Sequence, residues 1–409
     1  MIELGTQVSG LTLSSLNVGY VSTYPPRACG IATFTRDLAT ALIVRHHVGQ
    51  TVVLPIKNDL TQTTTDSFID QYERRSYVDG AGFLNGSNLD VVSLQHEFGI
   101  FGGEWGEYVL DLCRNLELPL VTTFHTVIPK PDEKPLGIVR EICRLSAKVV
   151  VTLESAKNLL EAHYGIPAQK VDVIRHGGAV PDQRRRSYAR DALHLRNRTV
   201  LSTTGLINAG KGIEFAIKSL PYLTKQWPNI LYLVIGETHP EVRKREGEAY
   251  RSNLIELTKE LKVQRNVKFI DRFLPETELS MYMQATDVYV APYVGRDQVS
   301  SGTITFALTH GRAIVSTPTI FAEEALSNGR GLLCDFKDEY TIARLVGRIL
   351  GDSRLRRRLE INAFKYGREL GWAKVADEYA NVLRSARRLE GTVTEASELN
   401  QVRASLRHN

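Results

Sequence analysis

The sequence has 409 residues but only four cysteines, three methionines and three tryptophans. Cys29, Cys113, Cys143 and Cys334 lie far apart and form no CxxC pair. That argues against a zinc site or a thioredoxin-like motif, and it fits a reducing compartment. No stretch approaches the roughly 20 apolar residues needed to span a bilayer. Met1 to Tyr20 lacks a basic start followed by a long apolar core, which argues against a secretory leader. A cytoplasmic protein is the expectation. Charge of one sign is lacking too: 51 Lys+Arg against 46 Asp+Glu leave a net +5. Spread over this length, that is too little to argue for nucleic acid. With 43% hydrophobic and 24% charged residues, the chain is not mainly disordered, collagen-like or a disulfide scaffold.

At about 150 residues per domain, two or three domains are expected. Short apolar runs rich in branched residues alternate with helix-length segments. Val18 to Ser22, Val52 to Pro55, Val91 to Gln95, Leu120 to Phe124, Val149 to Leu153 and Val171 to Ile174 read as strands buried on both faces. Thr33 to Val44 and Gly106 to Asn115 read as helices between them. The alternation predicts β-α-β units and a parallel sheet. It stops at Pro181 to Arg198, a polar run with Arg184, Arg185, Arg186, Arg190, Arg196 and Arg198. A solvated linker is the expectation there, with a phosphate or anionic-membrane contact as the sharper alternative. Alternation resumes with Val200 to Thr204, Leu231 to Ile235, Val267 to Ile270, Val288 to Ala291 and Ala313 to Ser316. The reading is α/β: two similar Rossmann-like parallel-sheet domains, 1–180 and 181–371, facing a cleft at their strands' carboxyl ends. A last helix over 372–388 and a frayed polar tail over 391–409 complete it.

Three turns are suited to anions. Tyr24-Pro25-Pro26-Arg27-Ala28-Cys29-Gly30 opens a helix, whose free N–H groups and dipole attract phosphate or carboxylate. Gly205-Leu206-Ile207-Asn208-Ala209-Gly210-Lys211-Gly212 nearly matches G-x-x-x-x-G-K-[ST]. Its last position is Gly212, so the hydroxyl that would hold magnesium is missing, and cleavage between phosphates is not expected. A diphosphate held beside Lys211 remains. Gln298-Val299-Ser300-Ser301-Gly302-Thr303 offers hydroxyl and backbone donors at a third helix start. A plain turn, a solvated lysine and an unliganded cap are the respective ordinary readings. Two anion-ready starts in one domain favour a diphosphate.

His96 and His125 end neighbouring strands and are expected to face the cleft. Nothing spaced around them supports a metal. His176 at the domain junction reads as structural. Phe98-Gly99-Ile100-Phe101-Gly102-Gly103-Glu104-Trp105 is either a platform for stacking on sugar or a loop anchored by its own aromatics.

These pieces, in this order, resemble retaining glycosyltransferases of sequence family four, with the GT-B fold, over roughly residues 16 to 388. Cys29-Gly30-Ile31-Ala32-Thr33, His125, Gly205 with Lys211-Gly212-Ile213, Leu274 to Leu279 and Asp287 to Pro292 carry the resemblance. More closely, the chain looks like a subgroup with Pro25-Pro26-Arg27-Ala28-Cys29-Gly30, Gln95 to Gly103, and a Gln-x-Ser-Ser-Gly-Thr donor loop over 298–303. The resemblance implies transfer of a hexose, mannose or glucose, from a nucleotide-diphosphate donor to an acceptor hydroxyl with retention. It makes His125 and Lys211 the catalytic pair. It places Gly30, Lys211, Phe273, Gln298, Ser300, Ser301, Gly302 and Thr303 on the donor, and His96, Glu97, Phe98 and Arg27 on the acceptor. It implies no metal and no cofactor beyond the donor, and it sets Trp372 at the hinge.

Two departures, at three positions, set the chain apart from the family. Leu206 stands where arginine is usual, and Gln298 and Phe306 replace a pair of glutamates. Gln298 can still bond a sugar hydroxyl, whereas Phe306 cannot hold a ribose that way. Retention with no carboxylate nucleophile implies front-face substitution, where the leaving phosphate oxygen takes the acceptor proton. Two competitors are a nucleotide-sugar epimerase of the same fold and a sugar-nucleotide-binding scaffold. The expected partners are a nucleotide sugar and a carbohydrate or lipid-linked acceptor, with Arg184 to Arg198 or Arg354 to Arg358 available for peripheral membrane contact.

Overall fold

The computed structural model describes residues 15–59, 67–181 and 186–405. Seven parallel strands form the first sheet: β1 (Leu16–Ser22), β2 (Val48–Lys57), β3 (Ile69–Asp70), β4 (Val91–His96), β5 (Leu120–Phe124), β6 (Lys148–Val151) and β7 (Val171–Val173). Their order is β3-β2-β1-β4-β5-β6-β7. Six form the second: β8 (Thr199–Thr204), β9 (Ile230–Ile235), β10 (Val267–Ile270), β11 (Val288–Ala291), β12 (Ala313–Ser316) and β13 (Leu332–Leu333). Their order is β10-β9-β8-β11-β12-β13. Each sheet therefore reverses direction beside its first strand, between β1 and β4 and between β8 and β11. At such a switch point, adjoining helices leave on opposite faces and open a crevice at the carboxyl ends. Every residue of β4, β5 and β9 is buried, as continuous apolar runs require in a sheet covered on both sides.

The eleven strands expected from sequence are all present. The two additional ones, β3 and β13, are two-residue edge strands, too short to show a pattern. The helix Trp372–Ser405 returns to the first domain. There Val375, Ala376, Tyr379 and Leu383 share a core with Val18, Tyr20, Phe34 and Leu38. Its backbone runs past Arg388, so the expected tail from Gly391 is helical as far as Ser405, and 406–409 lie outside the described residues. Among the described residues, no helix is long and apolar enough to cross a membrane.

The arginine-rich run is not a solvated linker. Arg184 and Arg185 lie outside the described residues. Arg186 and Arg190 sit on the helix Arg186–Ala192 and grip the Asp287 carboxylate at 2.7 and 2.6 Å. Arg196 pairs with Asp191, and Arg198 donates to the Asn229 and Ile230 carbonyls. Asp287 is buried at the foot of β11, where an uncompensated carboxylate would be costly. Arg186, Arg190 and Arg198 are therefore engaged within the second domain, while Arg196 stays at the surface beside Asp191.

Two chain crossings join the domains. Gly178 N–H donates to the Leu370 carbonyl at 2.9 Å, and a Cβ on Gly177 would stand 2.4 Å from the Trp372 ring. A third contact is a helix cap made across the domains. The helix Glu154–Tyr164 starts at Leu153 without a side-chain cap of its own. Glu324 of the second domain accepts instead from Glu154 N, Ser155 N and Ser155 Oγ at 3.0, 2.9 and 2.7 Å. Glu324→Ala should therefore cost about 1–2 kcal/mol in chemical denaturation, the usual worth of a lost cap. An unchanged midpoint would remove the cap from the account.

Candidate functional site

The cleft between the two sets of strand ends has a volume of about 1050 Å³. It is lined by Arg27, Gly30, Glu97 and His125 from the first domain. Lys211, Phe273, Gln298, Ser300, Ser301, Gly302 and Thr303 line it from the second.

On the second-domain wall, β8 ends at Thr204 and the chain turns through Gly205, which takes φ +111°. Gly212 takes φ +62°, and a Cβ there would lie 2.0 Å from the Pro292 carbonyl oxygen. This explains why no serine or threonine follows Lys211: the loop packs too closely on the β11 turn to admit one. Lys211 folds back so that Nζ donates to the Thr204 carbonyl at 3.3 Å and stands 5.2 Å from the Tyr293 ring centre. Facing it, Ser301 caps the helix Gly302–Thr309 by accepting from Ile304 N at 3.3 Å. The Tyr293 hydroxyl bridges the two, lying 3.1 Å from Ser301 Oγ and 2.8 Å from Thr303 Oγ1. Burial works to raise the Tyr293 phenol. The Lys211 ammonium and the two hydroxyls outweigh it, so the group titrates below its ordinary value. Tyr293 thus links both anion-ready features. Sequence reading passed over it, although its place just past the end of β11 was the available signal.

The first-domain wall is built on β4 and β5. His125 is buried, and its Nε2 lies 2.9 Å from Gln95 Oε1, while Gln95 Nε2 donates to Ser93 Oγ at 3.0 Å. That chain makes Nε2 the proton-bearing nitrogen and leaves Nδ1 as an acceptor. The edge of Phe34 meets the ring at 4.8 Å. Glu97 accepts from Phe98 N at 3.0 Å and from Thr126 Oγ1 at 2.6 Å, and burial raises its carboxyl pKa. Arg27 donates from Nη1 to the Ile56 carbonyl and to Gln71 Oε1. Gly30 begins the helix Gly30–Val44, and a Cβ there would meet nothing within 4 Å, so its backbone is open to the cleft.

Two expected acceptor residues do not reach the cleft. His96 is 0% exposed and stacks on Phe101, with Phe98 and Phe124 meeting its ring edge-on. It ends β4 opposite Phe124 on the face turned into the core, whereas His125, one residue past β5, turns to the cleft side. Phe98 is also buried and holds the loop down beside Trp105. The glycine-aromatic loop is thus anchored by its own aromatics. Gly102 sets its path, since a Cβ there would lie 1.9 Å from the Gln71 carbonyl oxygen. The three residues that depart from the family, Leu206, Gln298 and Phe306, all line the cleft, and the Phe306 ring packs on His310 at 4.1 Å.

His96, His125 and His310 are each pushed by burial to about 3, so all three are neutral in the folded state at pH 7. Unfolded, each binds a proton near pH 6.5. A lowered folded pKa means stability that is full above pH 6.5 and is lost as pH falls toward 3. Each histidine removes up to about 1.4 kcal/mol per pH unit in that window. Unfolding free energies from urea titrations at pH 7 and pH 5 should therefore differ by several kcal/mol, with the midpoint lower at pH 5. Equal midpoints would show that these rings are not buried neutral.

The walls, the switch points and the two helix starts converge on one cleft. Both halves of the chain match glycosyltransferase family models. Residues 187–366 match "Glycosyl transferases group 1" and residues 81–177 match "Glycosyltransferase Family 4". A D-inositol 3-phosphate glycosyltransferase of Corynebacterium efficiens is 24% identical over 318 residues, spanning 72% of this chain and 71% of that protein. Its namesake in Corynebacterium diphtheriae is 27% identical over 299 residues, 68% of each. Sucrose-phosphate synthase from Thermosynechococcus elongatus superposes with a TM-score of 0.73 at 18% identity, covering 90% of this chain and 98% of that one. Anabaena HepE, solved in complex with UDP and glucose, superposes at 0.68 with 15% identity, covering 90% and 100%. The fold is GT-B, and the matches support a family-four glycosyltransferase.

Proposed function

We propose that the chain is a retaining hexosyltransferase that moves mannose or glucose from a nucleotide-diphosphate sugar to an acceptor hydroxyl, without a divalent metal. The observation that carries this is the meeting of Lys211, Tyr293 and the capped start of the helix Gly302–Thr309 on one wall. An ammonium and a helix N-terminus supply the positive potential that a departing diphosphate needs, at the place where its charge develops. Gly30 brings a second helix start to the opposite wall. His125, held neutral with Nδ1 free to accept, takes a hydrogen bond from a hydroxyl of the transferred sugar. Gln298 bonds another, and Phe273, 52% exposed at the rim, covers the base. The acceptor enters past Arg27 and Glu97. Its hydroxyl attacks on the face from which the diphosphate leaves, and the leaving oxygen takes the proton. The protein's part is placement and electrostatics. The first domain takes the acceptor and the second the donor. The reaction runs in the cytoplasm, at the membrane's cytoplasmic face where the acceptor is lipid-linked.

A second reading, a binding protein that no longer transfers, draws on Phe306, whose ring stands where the family has a carboxylate. Calorimetry with UDP-glucose, GDP-mannose and their relatives, followed by an assay of released nucleotide, separates the two. The transferase binds one donor and releases its nucleotide when an acceptor is added. Failure of every donor to bind would sink both readings.

A further inference from the structure

We infer that His176, where the chain crosses between the domains, takes up a proton as the donor binds and gives the diphosphate a second side-chain cation beside Lys211. The inference rests on the glycosyl-transfer reading of the cleft and names a further catalytic residue for it. His176 lines the cleft. Its Nδ1 lies 2.7 Å from the Gly177 carbonyl oxygen. A carbonyl only accepts, so Nδ1 carries the proton and Nε2 of the neutral ring keeps its lone pair. Nε2 has no partner among the described residues and, unlike the two His96 nitrogens, is not sealed from solvent. It stands at the start of the helix Gly302–Thr309, where a Cβ on Gly302 would lie 3.4 Å from Nε2. Lys211 flanks the same first turn. A Cβ on Gly205 would stand 2.9 Å from Lys211 Nζ and 3.1 Å from the Thr303 methyl. One anion at this helix start therefore meets both side chains.

The ring is held in this pose from several sides. Phe34, on the helix Gly30–Val44, meets it at 5.0 Å, and Trp372, on the last helix, at 6.5 Å. Phe34 also meets His125, the titratable group nearest to it on the first-domain wall. Ser301 and Thr303 add hydroxyls from the second domain. No carboxylate pairs with the ring among the described residues. Burial holds it neutral, at about 4, with the Gly177 carbonyl pulling the other way. A phosphate oxygen set against bare Nε2 would bring lone pair to lone pair. Protonation turns that contact into a charged N–H donor. One opposite charge a few ångströms away raises a titration point by about 1–3 pH units, and the donor diphosphate brings two charges. The proton comes from solvent on binding and returns when the nucleoside diphosphate departs. The acceptor proton still goes to the leaving oxygen. His125 stays neutral, because a cationic His176 pushes it lower still.

Calorimetry of the full chain with UDP-glucose and with GDP-mannose at pH 6.5, repeated in buffers of different ionisation enthalpy, counts the protons. The diphosphate of a nucleotide sugar is fully ionised there and contributes none. The expected result is uptake of about half a proton or more per donor bound, with affinity falling roughly four- to tenfold from pH 6 to pH 8. Both should be lost in His176→Gln. They should persist in His239→Gln, which removes another histidine of the cleft. Proton NMR of the unaltered protein reads the same event without a substitution, as the His176 ring signals move to their cationic positions when donor is added. Donor binding without proton uptake, uptake that survives His176→Gln, or His176 signals that stay neutral would overturn the inference and leave the transferase reading standing. A protein that binds no nucleotide sugar would take both down.

Discussion

Lys211→Ala is expected to lower turnover by about 10²- to 10³-fold, the usual cost of removing one preorganised donor from a developing negative charge. The side chain carries little of the fold. Its Nζ contact with the Thr204 carbonyl is a long 3.3 Å, and the loop's path is set by Gly205 and Gly212 instead. Stability should shift by less than about 0.5 kcal/mol. The loss belongs in kcat, because the ammonium meets more charge in the transition state than in the bound donor. Lys211→Arg should restore part of it, since charge is kept but a planar fork replaces a compact point charge. The check is steady-state kinetics beside a melting curve. Full turnover in a folded Lys211→Ala protein would end the assignment.

The second large effect is structural. Asp287→Ala removes a buried carboxylate that accepts from Arg186, Arg190 and Val200 N at 2.7, 2.6 and 2.9 Å. It leaves guanidinium groups facing one another in a partly buried space. Breaking such a cluster costs about 3–5 kcal/mol, or roughly 10 °C in melting temperature for a domain of this size. The helix Arg186–Ala192 should loosen first, because Arg186 and Arg190 tie it to the foot of β11. Differential scanning calorimetry reads this directly. A shift under about 3 °C would mean that the arginines find other partners.

Asp287 also shows where sequence reading stops. Six arginines in eighteen residues look like a solvated run, because most charge runs are. Nothing local reveals that a carboxylate a hundred positions away lies between two of them. The same limit separates His96 from His125. His96 ends β4 opposite Phe124, and His125 comes one residue later, so alternation turns one ring to a cluster of phenylalanines and the other to the cleft. That one-residue offset is a matter of strand register, which no local pattern in the sequence reveals. What was legible came from strong local chemistry: continuous apolar runs for buried strands, and glycines where φ is positive or the backbone is crowded. Gly212 carries both meanings, since its absent side chain rules out a magnesium hydroxyl and admits the β11 turn. Edge strands of two residues and the cap from Glu324 left no pattern to find.

As proposed above, the cleft breaks the bond between a sugar and its diphosphate and delivers the sugar with retention. The most direct measurement is proton NMR of the protein with each α-linked nucleotide sugar, first alone and then with an acceptor panel. Slow hydrolysis is expected without acceptor, and with one, free nucleoside diphosphate together with an α-linked product. A β-linked product, an epimerised sugar, or donor binding with no nucleotide released in any mixture would contradict it.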